Sequence, residues 1–179
     1  MKLGVCIPYR DTGDGVRKKH LDTIVPHIEK FFGDRNIDFR CYIGHQIDDN
    51  KFNPIAIINT HAHLDHIGAI SEIKEKYSIP FYLHVGEKPI LDSYPLACRM
   101  FGIKPGKSPS VDEWFHSSGK LLIEPFKFLI IETPGHTPGG CSFLINDAIF
   151  VGDTLFQGSI GRTDLPGGDR KILDKSLIK

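Results

Sequence analysis

Thr60-His61-Ala62-His63-Leu64-Asp65-His66 packs three imidazoles and a carboxylate into six positions. Imidazole and carboxylate are ligands that suit Zn²⁺ or a similar divalent ion. The apolar run Pro54-Ile55-Ala56-Ile57-Ile58-Asn59 comes directly before and reads as a buried strand. The cluster therefore sits where a strand leaves a sheet. His61 and His63 are two apart and share one side of an extended backbone. Asp65 and His66 follow a turn and can face a second point in space. Buried imidazoles and carboxylates need partners, and a metal ion supplies one to all of them together.

Two later segments have the same build. Phe126-Lys127-Phe128-Leu129-Ile130-Ile131 reads as a strand and runs into Glu132-Thr133-Pro134-Gly135-His136-Thr137-Pro138-Gly139-Gly140. The two Pro-Gly pairs force a tight loop with His136 at its tip. In Phe150-Val151-Gly152-Asp153-Thr154-Leu155-Phe156 an acid again ends an apolar strand. Either segment alone is compatible with a plain turn. With the first cluster they form a set of strand-end ligands, the arrangement by which a rigid sheet carries chemistry on its loops.

On these three motifs, residues 54–179 resemble the metallo-β-lactamase superfamily, and within it the short glyoxalase II-like hydrolases. Gly158-Ser159-Ile160-Gly161-Arg162-Thr163-Asp164-Leu165-Pro166-Gly167-Gly168-Asp169 is similar to that subgroup as well. The resemblance implies an α/β fold: a metallo-β-lactamase-like αββα sandwich, incomplete at both ends and preceded by a βαβ segment. It implies a first metal on His61, His63 and His136, a second on Asp65 and His66, and Asp153 bridging the two. One or two divalent ions are expected, Zn²⁺ first, with iron or manganese as alternatives. A metal held by neutral imidazoles brings bound water to a pKa of about 7. Asp65 is the candidate catalytic group, orienting that water and accepting its proton. The implied reaction is hydrolysis of an activated acyl group by metal-bound hydroxide. The implied substrate is a small-molecule thioester such as an acyl-glutathione. The alternatives are phosphodiester hydrolysis on the same fold and an inactive or chimeric fragment that keeps a partial metal site.

The chain departs from the family pattern at two places. Family members carry one more histidine in a Gly-His segment beyond a helix, and none follows His136 here. They also open with several antiparallel strands, whereas residues 1–53 read differently. Leu3 to Pro8 is a short apolar strand, and Leu21, Ile24, Val25, Ile28, Phe31 and Phe32 have helical spacing, interrupted by Pro26. Asp38 to His45 alternates like a strand. The order fits one βαβ unit. Ile7-Pro8-Tyr9-Arg10-Asp11 is similar to the start of galactosyltransferase-type glycosyltransferases, though no Asp-x-Asp motif accompanies it. The expected division is thus a segment 1–53 of different origin and a hydrolase domain 54–179, joined near Lys51-Phe52-Asn53-Pro54.

Composition sets the outer bounds. The chain has 179 residues, enough for one domain with or without an added fragment, and a formal net charge of zero. Nothing therefore draws it to nucleic acid or to an anionic membrane. No apolar stretch is long enough to span a bilayer. Its four cysteines, Cys6, Cys41, Cys98 and Cys141, form neither a metal pair nor a disulfide framework, so a cytoplasmic setting is expected. Ile67, Ile70, Ile73 and Tyr77 mark a helix after the metal loop, with Gly68 expected to let it lie close to the sheet. Pro80 to Val85 reads as a strand, with His84 beside the site, and Ile90 to Tyr94 as a short helix. Leu121 to Ile123 and Phe126 to Ile131 should pair around Glu124-Pro125. Arg162 and Asp164 read as a loop salt bridge.

Overall fold

The computed structural model describes residues 54–179 and, ahead of them, the strands β1 (Lys2–Cys6) and β2 (Asp38–Tyr42). The expected helix over residues 21–33, the Ile7-to-Asp11 segment and most of the junction lie outside the described residues. The chain divides into two compact units, Met1–Pro54 and Ile55–Lys179. In the first, β1 and β2 pair in parallel, with Lys2 opposite Asp38 and Cys6 opposite Tyr42. A βαβ unit contains such a parallel pair, and the segment that would connect the two strands lies outside the described residues.

The second unit holds two larger sheets and a two-stranded antiparallel ribbon, Leu155–Phe156 with Ser159–Ile160. Strands β3 (Ile57–Ile58), β4 (Phe81–His84) and β5 (Glu113–Phe115) form a parallel sheet in that order. Strands β6 (Gly119–Ile123), β7 (Phe126–Glu132), β8 (Cys141–Ile145) and β9 (Ala148–Phe150) form an antiparallel meander. The β6–β7 hairpin turns at Glu124-Pro125 as expected, with Ile123 opposite Phe126. Period-2 alternation explains its faces. Phe128 and Ile130 are buried, while Lys127 and Leu129, which alternate with them, are exposed. The two sheets meet through aromatic rings, Phe115 of β5 lying edge-on to Phe143 of β8 at 6.0 Å, while within the meander Phe128 of β7 lies 6.3 Å from Phe143.

Helices cover the parallel sheet. They are α1 (Leu64–Ile67), α2 (Ile70–Tyr77), α3 (Lys88–Asp92) and α4 (Tyr94–Met100). The core between them and the sheet contains Ala62, Ile67, Ile70, Phe81, Leu83, Leu91, Tyr94 and Cys98. Helix α5 (Arg170–Ser176) is capped by the Asp169 carboxylate, which accepts the Ile172 N–H at 3.0 Å. It buries Leu173 completely, and its Ser176 hydroxyl donates to the Pro134 carbonyl at 2.7 Å. That helix therefore braces the loop that carries His136.

Three local expectations are corrected. The run from Pro54 to Asn59 yields a strand of only two residues, half-buried rather than buried, because among the described residues β3 is paired on one side only, with β4. Gly68 does not lie against the sheet. It is exposed, caps α1 through its N–H to the Leu64 carbonyl at 3.0 Å, and divides the expected single helix into α1 and α2. The short helix expected at Ile90 to Tyr94 is a pair, α3 and α4, running on to Met100. Leu96 and Met100 are exposed on α4, which blurs the apolar stripe from which periodicity is read.

Candidate metal centre

The sheet ends bring His61, His63, His66, His136 and Asp153 together. His61 and His63 lie on the backbone leaving β3, and His66 follows within α1. His136 stands at the tip of the β7–β8 loop, which is closed by the Thr133 N–H on the Gly140 carbonyl at 2.8 Å. Asp153 sits in the 3₁₀ turn Gly152–Thr154 after β9. The first loop is fastened to the second by the Cys141 N–H, which donates to the Thr60 carbonyl at 2.9 Å.

Side-chain ligand atoms fall into two groups, each with all atoms within 4.8 Å of one another: His61, His63 and His136, and His61, His66 and Asp153. His61 belongs to both. Its ring centre lies 5.0 Å from that of His63, 4.8 Å from His136 and 3.9 Å from His66. Asp65 belongs to neither group. Its carboxylate is 3.8 Å from His66 Nε2 and its side chain is 76% exposed.

Hydrogen bonds at the far side of each ring decide which nitrogen faces inward. His136 Nδ1 donates to the Arg162 carbonyl at 2.7 Å, leaving Nε2 bare. That Nε2 lies 2.9 Å from His63 Nδ1. Two such nitrogens approach so closely only with a proton between them or a cation shared by both. His61 Nδ1 meets the Thr60 hydroxyl at 3.1 Å, while its Nε2 is buried with no hydrogen-bond partner. A buried polar atom without a partner is costly, and a divalent cation is a partner that fits an imidazole lone pair. The residues present therefore fit a metal ion.

Electrostatics agree with the geometry. Burial, with His66 close by, pulls His61 down to about 2. Burial and the neighbouring His136 pull His63 down to about 4. Both rings stay neutral and keep a lone pair at neutral pH. At His66 burial also works downward, but the Asp153 carboxylate 3.2 Å from Nε2 outweighs it and raises the value. Asp153 is correspondingly lowered, since its bond to His66 overcomes its own burial. The two groups share a close contact, His66 Nε2 to Asp153 Oδ1 at 3.2 Å, whose atoms are also those of the second ligand group.

Other sequence expectations place as follows. Arg162 and Asp164 form a bidentate pair, both bonds 2.7 Å, exposed to solvent. What Arg162 gives the site is its backbone carbonyl, which no side-chain motif announces. His84 is buried, in neither ligand group, and accepts the Gly86 N–H at 3.2 Å through Nδ1. Cys141 is buried core, its thiol pushed up to about 12 by burial and the charge of Glu132. Among the described residues, no helix is long and apolar enough to cross a membrane.

An α/β sandwich with histidines and acids converging from several loops at its sheet ends is a metal-centre architecture. The chain belongs to the metallo-β-lactamase superfamily, whose family model matches residues 31–179. It is 44% identical over 139 residues to the probable metallo-hydrolase YqgX of Bacillus subtilis, covering 75% of this chain and 65% of that protein. It is 35% identical over 136 residues to the hydroxyacylglutathione hydrolase GloC of Haemophilus influenzae, covering 74% of this chain and 64% of the other. Among solved structures, that of TTHA1623 in a di-iron-bound form matches with a TM-score of 0.67 and 37% identity, covering 75% of this chain and 67% of that one. The chain thus spans slightly under two thirds of the length of those two curated relatives.

Proposed function

We propose that this chain is a metal-dependent hydrolase of activated acyl groups, with a glutathione thioester as substrate. The observation that carries the metal assignment is His61 Nε2, buried and unpartnered among three further imidazoles. The substrate class rests on the 35% identity to hydroxyacylglutathione hydrolase GloC. His61, His63 and His136 are assigned as one ligand set, and His66 and Asp153 as the basis of a second, with Asp153 between them. A divalent ion bound there supplies a Lewis acid for the thioester carbonyl and acidifies water at neutral pH. Zinc fits the imidazole set, and iron fits it too, as the di-iron form of TTHA1623 illustrates for that protein.

The chain's own residues do the remaining work. The Arg162 carbonyl holds the proton of His136 on Nδ1. Thr60 fixes the His61 ring at Nδ1. Burial keeps His61 neutral and ready to ligate. Asp65, exposed beside His66, is assigned as the acceptor of the water proton; to complete the second ligand set it would have to move inward from its present position. A glutathione thioester is a small cytoplasmic substrate, in keeping with a chain whose cysteines suit a reducing compartment.

The test is release of free thiol from an acyl-glutathione by zinc- or iron-loaded protein, compared with Asp65→Asn and His61→Ala. Loss of a general base typically costs about 10²- to 10⁴-fold in rate. Turnover in wild type, reduced by that order in Asp65→Asn and absent in His61→Ala, is expected. A metal-loaded protein that hydrolyses no thioester would overturn the substrate assignment.

A further inference from the structure

Glu87 is fully buried, yet no metal group includes it. It closes the 3₁₀ turn Val85–Glu87 that follows β4. One carboxylate oxygen, Oε2, accepts the Ala62 N–H at 2.7 Å, and the other, Oε1, accepts the Gly139 N–H at 2.8 Å. Ala62 stands between His61 and His63. Gly139 lies three residues past His136. The two oxygens of one side chain thus grip the two loops that bear the three-histidine set, loops more than seventy residues apart in sequence.

The backbone is built for that grip. A Cβ at Gly139 would stand 2.6 Å from the Glu87 nitrogen and 2.6 Å from the Gly86 carbonyl carbon. Only a glycine lets the His136 loop settle onto the turn closely enough for the carboxylate to reach it. A buried carboxylate without donors is expensive, and charge-assisted bonds are the stronger kind. The fold must therefore present both N–H groups to Glu87 together, which fixes the spacing of the two loops.

The geometry points to Glu87 as a positioning residue that holds the His61–His63 loop and the His136 loop at metal-binding distance. This rests on reading the three histidines as a metal site. Glu87 touches no reacting atom and acts through the groups it holds, the Ala62 and Gly139 N–H among them. Glu87→Gln keeps the side chain's size but replaces one acceptor oxygen with a donor, so one of the two N–H groups faces another N–H.

The experiment is titration of the metal-free 179-residue chain with Co²⁺ alone, in competition with a chelator, followed by the visible absorption of the bound ion. Ile123→Ala, in the buried end of β6, serves as a control that loosens the core elsewhere. Changing a group that orients ligands typically costs about 10- to 100-fold in metal affinity. Glu87→Gln is expected to weaken Co²⁺ binding by about 10-fold or more and to shift the absorption bands, while Ile123→Ala changes neither. Should Glu87→Gln not fold, Glu87→Asp keeps both acceptors on an arm one methylene shorter and is titrated with the same expectation. Wild-type-like affinity and bands in the folded variant would overturn the role of Glu87 and leave the metal site standing. Failure of the wild type to bind Co²⁺ would overturn both.

Discussion

Metal-free protein should lose stability between pH 7 and pH 5, with His61 as the main cause. Burial holds His61 down to about 2 in the fold, against an ordinary value of 6.5. The unfolded chain therefore binds a proton below pH 6.5 that the folded chain refuses, so stability rises with pH across this window. Because the folded value lies far below 5, the loss at pH 5 depends only on the distance to 6.5. That distance is about 1.5 units, worth about 2 kcal/mol. His63, lowered to about 4, acts with the same sign but contributes less, because solvent reaches its ring. His66 acts oppositely. Its folded value is raised, so its contribution is complete below 6.5 and is lost as pH rises through the folded value. Asp153 is lowered, and its contribution persists down through the usual carboxylate range. The assay is urea unfolding in chelator at pH 7 and pH 5, followed by Trp114, the only tryptophan and a half-buried residue of β5. His61→Gln should remove about 2 kcal/mol of the pH-dependent loss. An identical pH dependence in wild type and His61→Gln would refute the claim that His61 is buried neutral.

Further substitutions probe the surroundings of the centre. Gly161→Ala would put a Cβ into the Asp153 carbonyl oxygen and 3.2 Å from His136 Nδ1. It should cost about 1–3 kcal/mol and weaken metal binding, read by thermal unfolding with and without Co²⁺. Leu173→Ala opens a cavity under the His136 loop and should cost about 2–5 kcal/mol in urea unfolding. Arg162→Ala removes only an exposed ion pair and keeps the carbonyl that His136 uses. Stability should then change by less than about 1 kcal/mol and Co²⁺ affinity by little.

Much of this centre was legible because its chemistry is local in sequence. His61, His63 and His66 lie within six positions, and His136 and Asp153 each follow an apolar strand, so spacing and strand pattern pointed to the side chains that the fold brings together, whereas Asp65, in the same stretch, stands outside both ligand groups. The antiparallel hairpin around Glu124-Pro125 was legible from alternation. What pattern could not show depends on contacts distant along the chain. Glu87 is one acid after an apolar strand, and nothing in Gly86-Glu87-Lys88 foretells that it spans to Ala62 and Gly139. Its one signal was an acid placed directly against a run of core residues. The Arg162 carbonyl carries no side-chain signature at all. The apolar composition of Pro54 to Asn59 could not reveal that β3 pairs on one side only among the described residues, because the same residues serve central and edge strands.

The most direct test of the metal centre is elemental analysis of purified, folded protein beside its His61→Ala and His136→Ala variants. At least one tightly held divalent metal per chain is predicted in wild type, lost from both variants, because His61 lies in both ligand groups and His136 completes the three-histidine set. Unchanged metal content in both folded variants, or a wild type that retains no metal after exposure to zinc and to iron, would contradict it.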